Sequence, residues 1–266
     1  MDDFNSKVRV FLSSLTHFHA VPEDRDNVCQ VCCGPTGTSR ANIHYPFCPP
    51  CRSTRSEARA AGAKLANHTA FVTYALQYWD EATKSKSSDM ALDDMYAYKD
   101  PKRTPWLRNA AAVRIASLLY SALHSLESQD HLGGPFTVIT FVPSSAGAGP
   151  SPLSEVVERA LAKINETPGF GSILDWTPGK DRAERRFDPD KFTVAQPGLV
   201  RDKRVLLIED TWVSGAKAQS AAAALLKAGA SWVTILSVAR MLDEEYDAGE
   251  YLHNRYRKLP PPTIDS

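Results

Sequence analysis

The sequence predicts an α/β fold with a parallel sheet and flanking helices, preceded by a small metal-binding module and a helical linker. Three observations support this. Apolar strand-like runs alternate with helical runs in the second half of the chain, as in parallel sheets with both faces covered. Two C-x-x-C pairs lie near the N-terminus, and an alanine-rich stretch follows them. We therefore divide the chain into 1–54 (metal module), 55–130 (helical linker), 131–258 (α/β domain) and 259–266 (a tail predicted to be disordered).

Composition narrows the class of protein. The 266 residues include 31 Lys and Arg against 31 Asp and Glu, so the formal net charge is zero and no global basic field points to nucleic acid. No apolar run approaches the roughly 18 residues that span a bilayer, and the N-terminus lacks a basic-then-apolar signal pattern. We expect a soluble, cytoplasmic protein that does not bind membranes.

The five cysteines lie close together in the chain, within 29–51. Two pairs, Cys29-Gln-Val-Cys32 and Cys48-Pro-Pro-Cys51, are separated by 15 residues, which matches the zinc ribbon pattern. Four thiolates fill a tetrahedral site and leave no open position, so the expected role of Zn²⁺ is structural.

Three alternatives remain open for this module. Cys33 adjoins Cys32 and competes for the site, and His44 is a weaker substitute ligand. The third alternative is a set of reduced thiols without metal. It is disfavoured because so small and polar a segment has little core of its own.

The linker is predicted to hold two helices. Arg52 to Lys84 is predicted to be one helix, 85–94 a loop, and Pro105 to about Leu126 a second helix with an apolar stripe. The first helix begins with basic residues that face only one acid, Glu57. These basic residues are Arg52, Arg55, Arg59 and Lys64. They form either a solvated face or a surface that contacts nucleic-acid phosphates.

The α/β region alternates regularly. We predict strands at 136–142, 172–177, 204–209 and 232–239, with helices at 151–164 and 217–228. Ser151 suits an N-cap, with Pro152 at the first helical position. Ligands of such sheets bind at the carboxyl ends of the strands.

Two predicted strand ends carry chemistry suited to a sugar phosphate. Ser144 and Ser145 follow the first strand, and Glu209 and Asp210 end the third. Paired carboxylates can accept hydrogen bonds from ribose hydroxyls. The run that follows can hold a phosphate through backbone N–H groups and hydroxyls. That run is Thr211, Trp212, Val213, Ser214, Gly215 and Ala216. Trp212 is either a packing residue or a platform for a base, and packing is favoured.

This acid-acid-Thr-Trp-Val-Ser-Gly run resembles the loop that binds 5-phosphoribosyl-1-pyrophosphate (PRPP) in type I phosphoribosyltransferases. With the cysteine pairs, nearly the whole chain resembles the ComF family of competence-associated, phosphoribosyltransferase-like proteins. Tyr96-Ala-Tyr-Lys99 resembles that family's tyrosine-lysine segment, and 183–192 resembles its arginine-rich mobile loop. One departure is the loop after the first strand, which carries no arginine here.

The resemblance implies a type I phosphoribosyltransferase fold that binds PRPP with Mg²⁺ and transfers the phosphoribosyl group to a nitrogen nucleophile. It implies that Glu209 and Asp210 orient the ribose and that Arg182, Arg185 or Arg186 neutralises the departing pyrophosphate. The alternative is a non-catalytic accessory protein in DNA uptake that binds single-stranded DNA or a protein partner. The acceptor and the oligomeric state do not follow from the sequence.

Overall fold

The computed structural model describes residues 2–21, 27–38, 43–126, 135–144, 151–162, 164, 169–181, 185–244, 256 and 258–262. The helices within these ranges are α1 Asp2–Ser14, α2 Pro49–Ala60, α3 Met90–Ala97, α4 Pro105–Leu126, α5 Pro152–Leu161 and α6 Ala216–Lys227. The strands are β1 His19–Ala20, β2 His68–Asp80, β3 Ser85–Ser88, β4 Val138–Phe141, β5 Gly169–Phe170, β6 Leu174–Trp176, β7 Phe192–Val194, β8 Arg204–Trp212 and β9 Trp232–Asp243.

One large, mostly parallel sheet organises the molecule. Its strand order is β1-β2-β9-β8-β4-β5, with β3 paired to the outer part of β2. The pairs β2–β9, β9–β8, β8–β4 and β4–β5 are parallel, whereas β1 and β3 run antiparallel to β2. The predicted α/β fold with a parallel sheet is therefore confirmed.

The inner strands are apolar because both faces of the sheet are covered. In β8, residues 205–208 are buried, as are residues 233–242 in β9. One face packs against α1, α3, α4 and α5 in a core that includes Leu12, Leu92 and Ile115. The other core contains α6 residues and the paired cysteines. The cysteine module is therefore packed into the body of the protein.

The prediction of one helix over Arg52 to Lys84 was wrong. Helix α2 ends at Ala60, Gly62 has a positive φ of 63°, and residues 68–80 form β2. The reason is a local run rich in β-branched and aromatic residues, His68-Thr-Ala-Phe-Val-Thr-Tyr74, which favours a strand. This preference outweighs the helical preference of the alanines elsewhere in the segment. Since β2 pairs with β9, part of the segment 55–130 belongs to the main sheet.

The predicted loop at 85–94 was also wrong, because it holds β3 and the start of α3. Asp89 caps that helix by accepting a hydrogen bond from the Leu92 N–H, at 2.8 Å. The helix over Pro105 to Leu126 is confirmed. Helix α5 begins at Pro152 after Ser151, as predicted, but ends at Leu161.

The predicted strands all contain strand structure, with changed ends or partners. Strand β8 continues past 209 to Trp212, and β9 continues past 239 to Asp243. The strand predicted at 172–177 is β6, which pairs with β7 in a separate two-stranded sheet. Of the tail predicted to be disordered, 259–266, the structure describes residues 259–262, where the Pro260 carbonyl accepts a hydrogen bond from the Ala20 N–H at 2.8 Å. Residues 263–266 lie outside the described residues. Among the described helices, none combines the length and apolarity needed to cross a bilayer.

Candidate functional site: an acid pair, a glycine turn and a four-cysteine cluster

The C-terminal part of strand β8 carries Glu209 and Asp210, here called the acid pair, at the carboxyl edge of the sheet. The neighbouring strand β4 ends at the same edge, since the Val142 N–H donates to the Ile208 carbonyl at 2.9 Å. Ser144 follows two residues later, and its carbonyl accepts a hydrogen bond from Trp176 Nε1 at 2.9 Å. Ser145 lies outside the described residues.

Asp210 already has two donors. Its Oδ2 lies 3.1 Å from the Tyr98 hydroxyl and 2.5 Å from Lys99 Nζ. Burial alone would raise the pKa of the Asp210 carboxyl, but the Lys99 ammonium opposes this and holds the pKa below its ordinary value. Asp210 is therefore an ionised acceptor with a cation beside it.

Glu209 has a different environment. Its side chain is 6% exposed, its Oε1 lies 3.8 Å from Lys217 Nζ, and its Oε2 has no hydrogen-bond partner in the described part of the chain. Burial raises the pKa of Glu209 to about 7, and Lys217 opposes that rise. An unpaired buried oxygen is costly, so a ligand that donates a hydrogen bond to Oε2 would relieve that cost.

The turn after β8, Val213-Ser214-Gly215, is here called the Ser/Gly loop. Gly215 has φ 79°, in the left-handed region, and directly precedes α6. A Cβ on Gly215 would lie 2.0 Å from the Trp212 ring, so the turn requires glycine for both conformation and space. The first turn of α6 leaves backbone N–H groups without intrahelical acceptors, and these can hold an anion.

Trp212 supports this turn from beneath. Its side chain is 1% exposed and meets Phe71 edge to face, with ring centroids 5.3 Å apart. The packing interpretation of Trp212 therefore agrees with the structure. Any contribution of Trp212 to a PRPP site comes from its backbone, because the ring is enclosed.

The arginine-rich segment lies against α2. Arg186 Nε is 3.4 Å from Oε1 of Glu57, and the Phe187 N–H donates to Oε2 of the same carboxylate at 3.2 Å. Phe187 is buried beside Ala58 and Ala223 and fixes this end of the segment. Arg185 is exposed, and Arg182 lies outside the described residues. A contact between these arginines and pyrophosphate stays a prediction.

The two cysteine pairs converge on one point. The Sγ atoms of Cys29, Cys32, Cys48 and Cys51, here called the four-cysteine cluster, all lie within 4.8 Å of one another and are buried. The Cys32 and Cys48 sulfurs are 3.6 Å apart. A tetrahedron with metal–sulfur bonds of about 2.3 Å has sulfur–sulfur edges of about 3.8 Å. The cluster can therefore hold a metal ion, as in a zinc ribbon.

Cys33 does not share this site. It has a positive φ of 52° and packs in a separate apolar cluster with Tyr74, whose hydroxyl donates to the Cys33 carbonyl at 2.8 Å. His44 Nδ1 lies 3.4 Å from the Thr36 hydroxyl. Neither residue is part of the metal-ligating group found among the described residues.

The four closely spaced thiols cannot all become thiolates without a positive charge between them. Hydrogen bonds from the other three thiols lower the pKa of Cys29, whereas hydrogen bonding to Cys29 raises the pKa of Cys51. A bound cation would hold all four as thiolates.

A buried arginine packs beside the cysteine module. The Arg240 guanidinium donates to the Cys32 carbonyl at 3.1 Å and packs so closely that a Cβ on Gly34 would overlap it.

The basic partners of the acid pair were not assigned from the sequence. The Tyr96–Lys99 segment was noted only as a resemblance, yet the end of α3 carries its Tyr98 and Lys99 to Asp210. Lys217 follows the Ser/Gly loop by two residues and turns back toward Glu209 because it lies in the first turn of α6. Lys217 lies close to the acid pair in sequence, and that proximity was its available signal, whereas Lys99 is 111 residues from Asp210 and only the resemblance of its segment pointed to it.

Comparisons with known proteins give distant likenesses. No model of a known protein family matches the chain, and no curated protein matches it. Among solved structures, glutamine PRPP amidotransferase from B. subtilis is 16% identical, with TM-score 0.37 over 60% of this chain and 34% of its own. This chain thus spans about a third of that protein.

Two shorter enzymes are also similar. A hypoxanthine phosphoribosyltransferase from Staphylococcus aureus is 16% identical, with TM-score 0.31 over 58% of this chain and 88% of its own. Orotate phosphoribosyltransferase from Mycobacterium tuberculosis is 15% identical, with TM-score 0.31 over 78% of this chain and 91% of its own. At these values the likenesses assign no activity to this chain.

Proposed function

We propose that this protein binds PRPP at the carboxyl edge of its sheet and transfers the phosphoribosyl group to a nitrogen nucleophile. One observation carries the proposal: β8 delivers two carboxylates directly into a glycine turn that opens a helix. This places acceptors for a sugar next to donors for a phosphate. The acceptor molecule and the cytoplasmic location stay expectations.

The Ser/Gly loop would hold the 5-phosphate of PRPP. The left-handed Gly215 turns the chain into α6, whose first N–H groups and positive dipole end favour an anion. The hydroxyls of Thr211 and Ser214 add further donors. The enclosed Trp212 ring keeps the turn in place beneath the phosphate.

The acid pair would orient the ribose. Oε2 of Glu209 is a buried acceptor without a partner, and a ribose hydroxyl would supply the missing donor. Asp210 holds the Lys99 ammonium at 2.5 Å. Lys99 would therefore stay beside the sugar and neutralise negative charge as the pyrophosphate departs. The nitrogen nucleophile attacks the anomeric carbon, and no covalent intermediate with the protein is needed.

The residues present do not make a protein-held magnesium site at the acid pair. Lys99 and Lys217 already place two ammonium groups against its two carboxylates. Mg²⁺ enters the proposal only as a counter-ion of the pyrophosphate, held by phosphate oxygens and water. No step proposed for the chain's own residues depends on it.

Arg185 and Arg186 are proposed to close over the pyrophosphate. Arg186 is 73% exposed, and its contact with Glu57 is long, at 3.4 Å. Such exposed pairs contribute at most about 1 kcal/mol, so the side chain can leave Glu57 for a ligand. Phosphate oxygens would then receive charge-assisted hydrogen bonds.

The four-cysteine cluster is proposed to bind Zn²⁺ in a structural role. Four sulfur donors at tetrahedral spacing fit this ion and leave no open coordination position. Bound zinc would supply a cross-link between the segments around residues 29–32 and 48–51, in addition to the core that these segments already share with α6 residues. Its effect on PRPP would be indirect, through the packing of α2 against α6.

PRPP titration calorimetry tests the proposal. Zinc-loaded wild-type protein should bind PRPP saturably, and Asp210→Asn should weaken binding at least roughly ten-fold while circular dichroism stays unchanged. Asp3→Asn is a matched control, because Asp3 is an exposed acid that pairs with Lys7 on α1, outside both the acid pair and the arginine-rich segment. Absence of binding by the folded wild type, or equal binding by Asp210→Asn, would overturn the proposal.

The exposed arginines of α2 favour a second candidate function. In it the protein is a non-catalytic, ComF-like accessory protein that binds single-stranded DNA or, alternatively, a protein partner. Arg52, Arg55 and Arg59 are exposed on this helix, whereas Lys64 lies beyond its end. DNA binding through them should weaken steeply with salt and be reduced by Arg52→Gln with Arg59→Gln. Binding that ignores both salt and these substitutions would exclude this candidate.

A further inference from the structure

A row of three side chains on the sheet supports the cysteine module. Tyr74 in β2 and Trp212 in β8 are the two register neighbours of Arg240 in β9. Trp212 belongs to the same buried cluster as the paired cysteines, and the other two side chains donate hydrogen bonds to the module. The sheet therefore contacts the module with polar groups as well as apolar ones.

These polar groups converge on residues 29–34, here called the first cysteine turn. Three consecutive carbonyls of this turn each accept a side-chain hydrogen bond from the sheet. The pairs are the Thr69 hydroxyl with the Val31 carbonyl, Arg240 Nε with the Cys32 carbonyl at 3.1 Å, and the Tyr74 hydroxyl with the Cys33 carbonyl at 2.8 Å. None of these bonds involves a thiol, so the sheet holds the backbone of the first cysteine pair without using its ligand atoms.

Arg240 differs from the other two donors because it brings a positive charge. It is 3% exposed, its Nη1 also donates to the Met241 carbonyl, and its Nη2 is so close to Gly34 that a Cβ there would overlap it. Water screens an enclosed charge poorly, and a buried cation is stabilised by negative charge nearby. The carbonyls that Arg240 contacts supply dipoles but no net charge.

The four-cysteine cluster would supply negative charge beside Arg240. Four thiolates outweigh the charge of one divalent ion, so the metal-loaded cluster is an anion. Its member Cys32 is the residue whose carbonyl accepts from Arg240. The guanidinium would offset part of the charge of the cluster and reduce the repulsion among its thiolates.

We propose that Arg240 is a positioning residue of the four-cysteine cluster and the counter-charge of its metal-loaded form. The inference rests on the proposed binding of Zn²⁺ at this cluster. The hydrogen bond to the Cys32 carbonyl orients the first cysteine pair, and the positive charge stabilises the loaded, anionic cluster. Thr69 and Tyr74 share the orienting role but bring no charge.

The test measures how tightly the zinc-loaded protein retains Zn²⁺ against a chromophoric chelator. Arg240→Gln removes the charge but keeps a donor, and it should weaken Zn²⁺ binding about ten-fold or more. Arg240→Lys keeps the charge and should recover most of this loss. Tyr74→Phe is the matched control, because it removes a neutral donor to the adjacent carbonyl, and it should weaken binding less than Arg240→Gln does.

Urea denaturation separates this role from packing. Arg240→Gln should lower the stability of the zinc-loaded protein more than that of the metal-free protein, because the charge acts on the loaded cluster. Equal losses in both forms would show a packing role alone and overturn the proposal. If Arg240→Gln does not fold, Arg240→Lys is compared with Tyr74→Phe. It should bind Zn²⁺ at least as tightly, and weaker binding would overturn the proposal.

The wild type distinguishes this proposal from the one on which it rests. A folded wild type that binds no Zn²⁺ would overturn the zinc proposal and this one together. Tight Zn²⁺ binding by the wild type, matched by Arg240→Gln, would overturn the role of Arg240 alone.

Discussion

Gly215→Ala should destabilise the protein through two effects, a conformational cost and a steric clash. A non-glycine residue at φ 79° costs roughly 1–2 kcal/mol of conformational free energy. The new methyl group would lie 2.0 Å from the Trp212 ring, and overpacking of this kind adds roughly 1–3 kcal/mol. The free energy of unfolding should therefore fall by about 2–5 kcal/mol.

Gly179→Ala is the matched control. Gly179 has the same φ of 79°, but nothing lies within 4 Å of its Cβ position, so this variant carries the conformational cost without the clash. Urea denaturation of the zinc-loaded proteins should show Gly215→Ala to be less stable than Gly179→Ala by about 1–3 kcal/mol. Equal destabilisation would refute the packing of Trp212 beneath the turn.

A double variant isolates the contact itself. Trp212→Leu removes the ring that Gly215→Ala would strike, so the two substitutions together should cost less than the sum of their separate effects. Coupling between residues in contact is typically about 0.5–3 kcal/mol. Strict additivity in the same denaturation assay would show that the ring does not limit residue 215.

Three further predictions concern charge and metal. Burial raises the pKa of Glu209 from 4.5 to about 7, so the folded state binds its proton more tightly than the unfolded chain does. The free energy of unfolding should therefore fall by up to roughly 3 kcal/mol as the pH rises from about 4.5 to about 7. Urea denaturation at several pH values should show this fall in the wild type, and Glu209→Gln should abolish it. Lys99→Met should raise the pKa of Asp210, as measured by carboxyl ¹³C NMR, and an unchanged titration would contradict the ion pair. Cys51→Ser should lose the metal, measured by native mass spectrometry, whereas Cys33→Ser should retain it; equal metal content would contradict the ligand assignment.

The elements with strong local patterns were predictable from the sequence. Helix α4 has long helical periodicity, and β8 has an uninterrupted apolar run, so both were located correctly. The C-x-x-C spacing likewise indicated a four-sulfur group, because each pair forms a tight turn that directs two thiols to one point.

Strand β2 was missed because its residues satisfy two patterns. Its alanines suggested a helix, and its β-branched and aromatic residues suit a strand only when a parallel partner is at hand. That partner, β9, lies more than 150 residues later in the chain. Local propensity carries no information about such a distant pairing.

The acid pair was recognised from its neighbours in sequence, but its electrostatics were not. The Asp210 contacts with Tyr98 and Lys99 span 112 and 111 residues and depend on where α3 ends. The raised pKa of Glu209 depends on burial, which the three-dimensional packing determines.

The central claim is that PRPP binds at the Ser/Gly loop beside the acid pair. Backbone amide ¹H–¹⁵N NMR of the zinc-loaded protein during PRPP titration tests it most directly. We predict that the amides of Ser214, Gly215 and Ala216 shift with one common saturation curve, and that Asp210→Asn weakens that curve. Saturable shifts confined to other regions, with these three amides unmoved, would contradict the account.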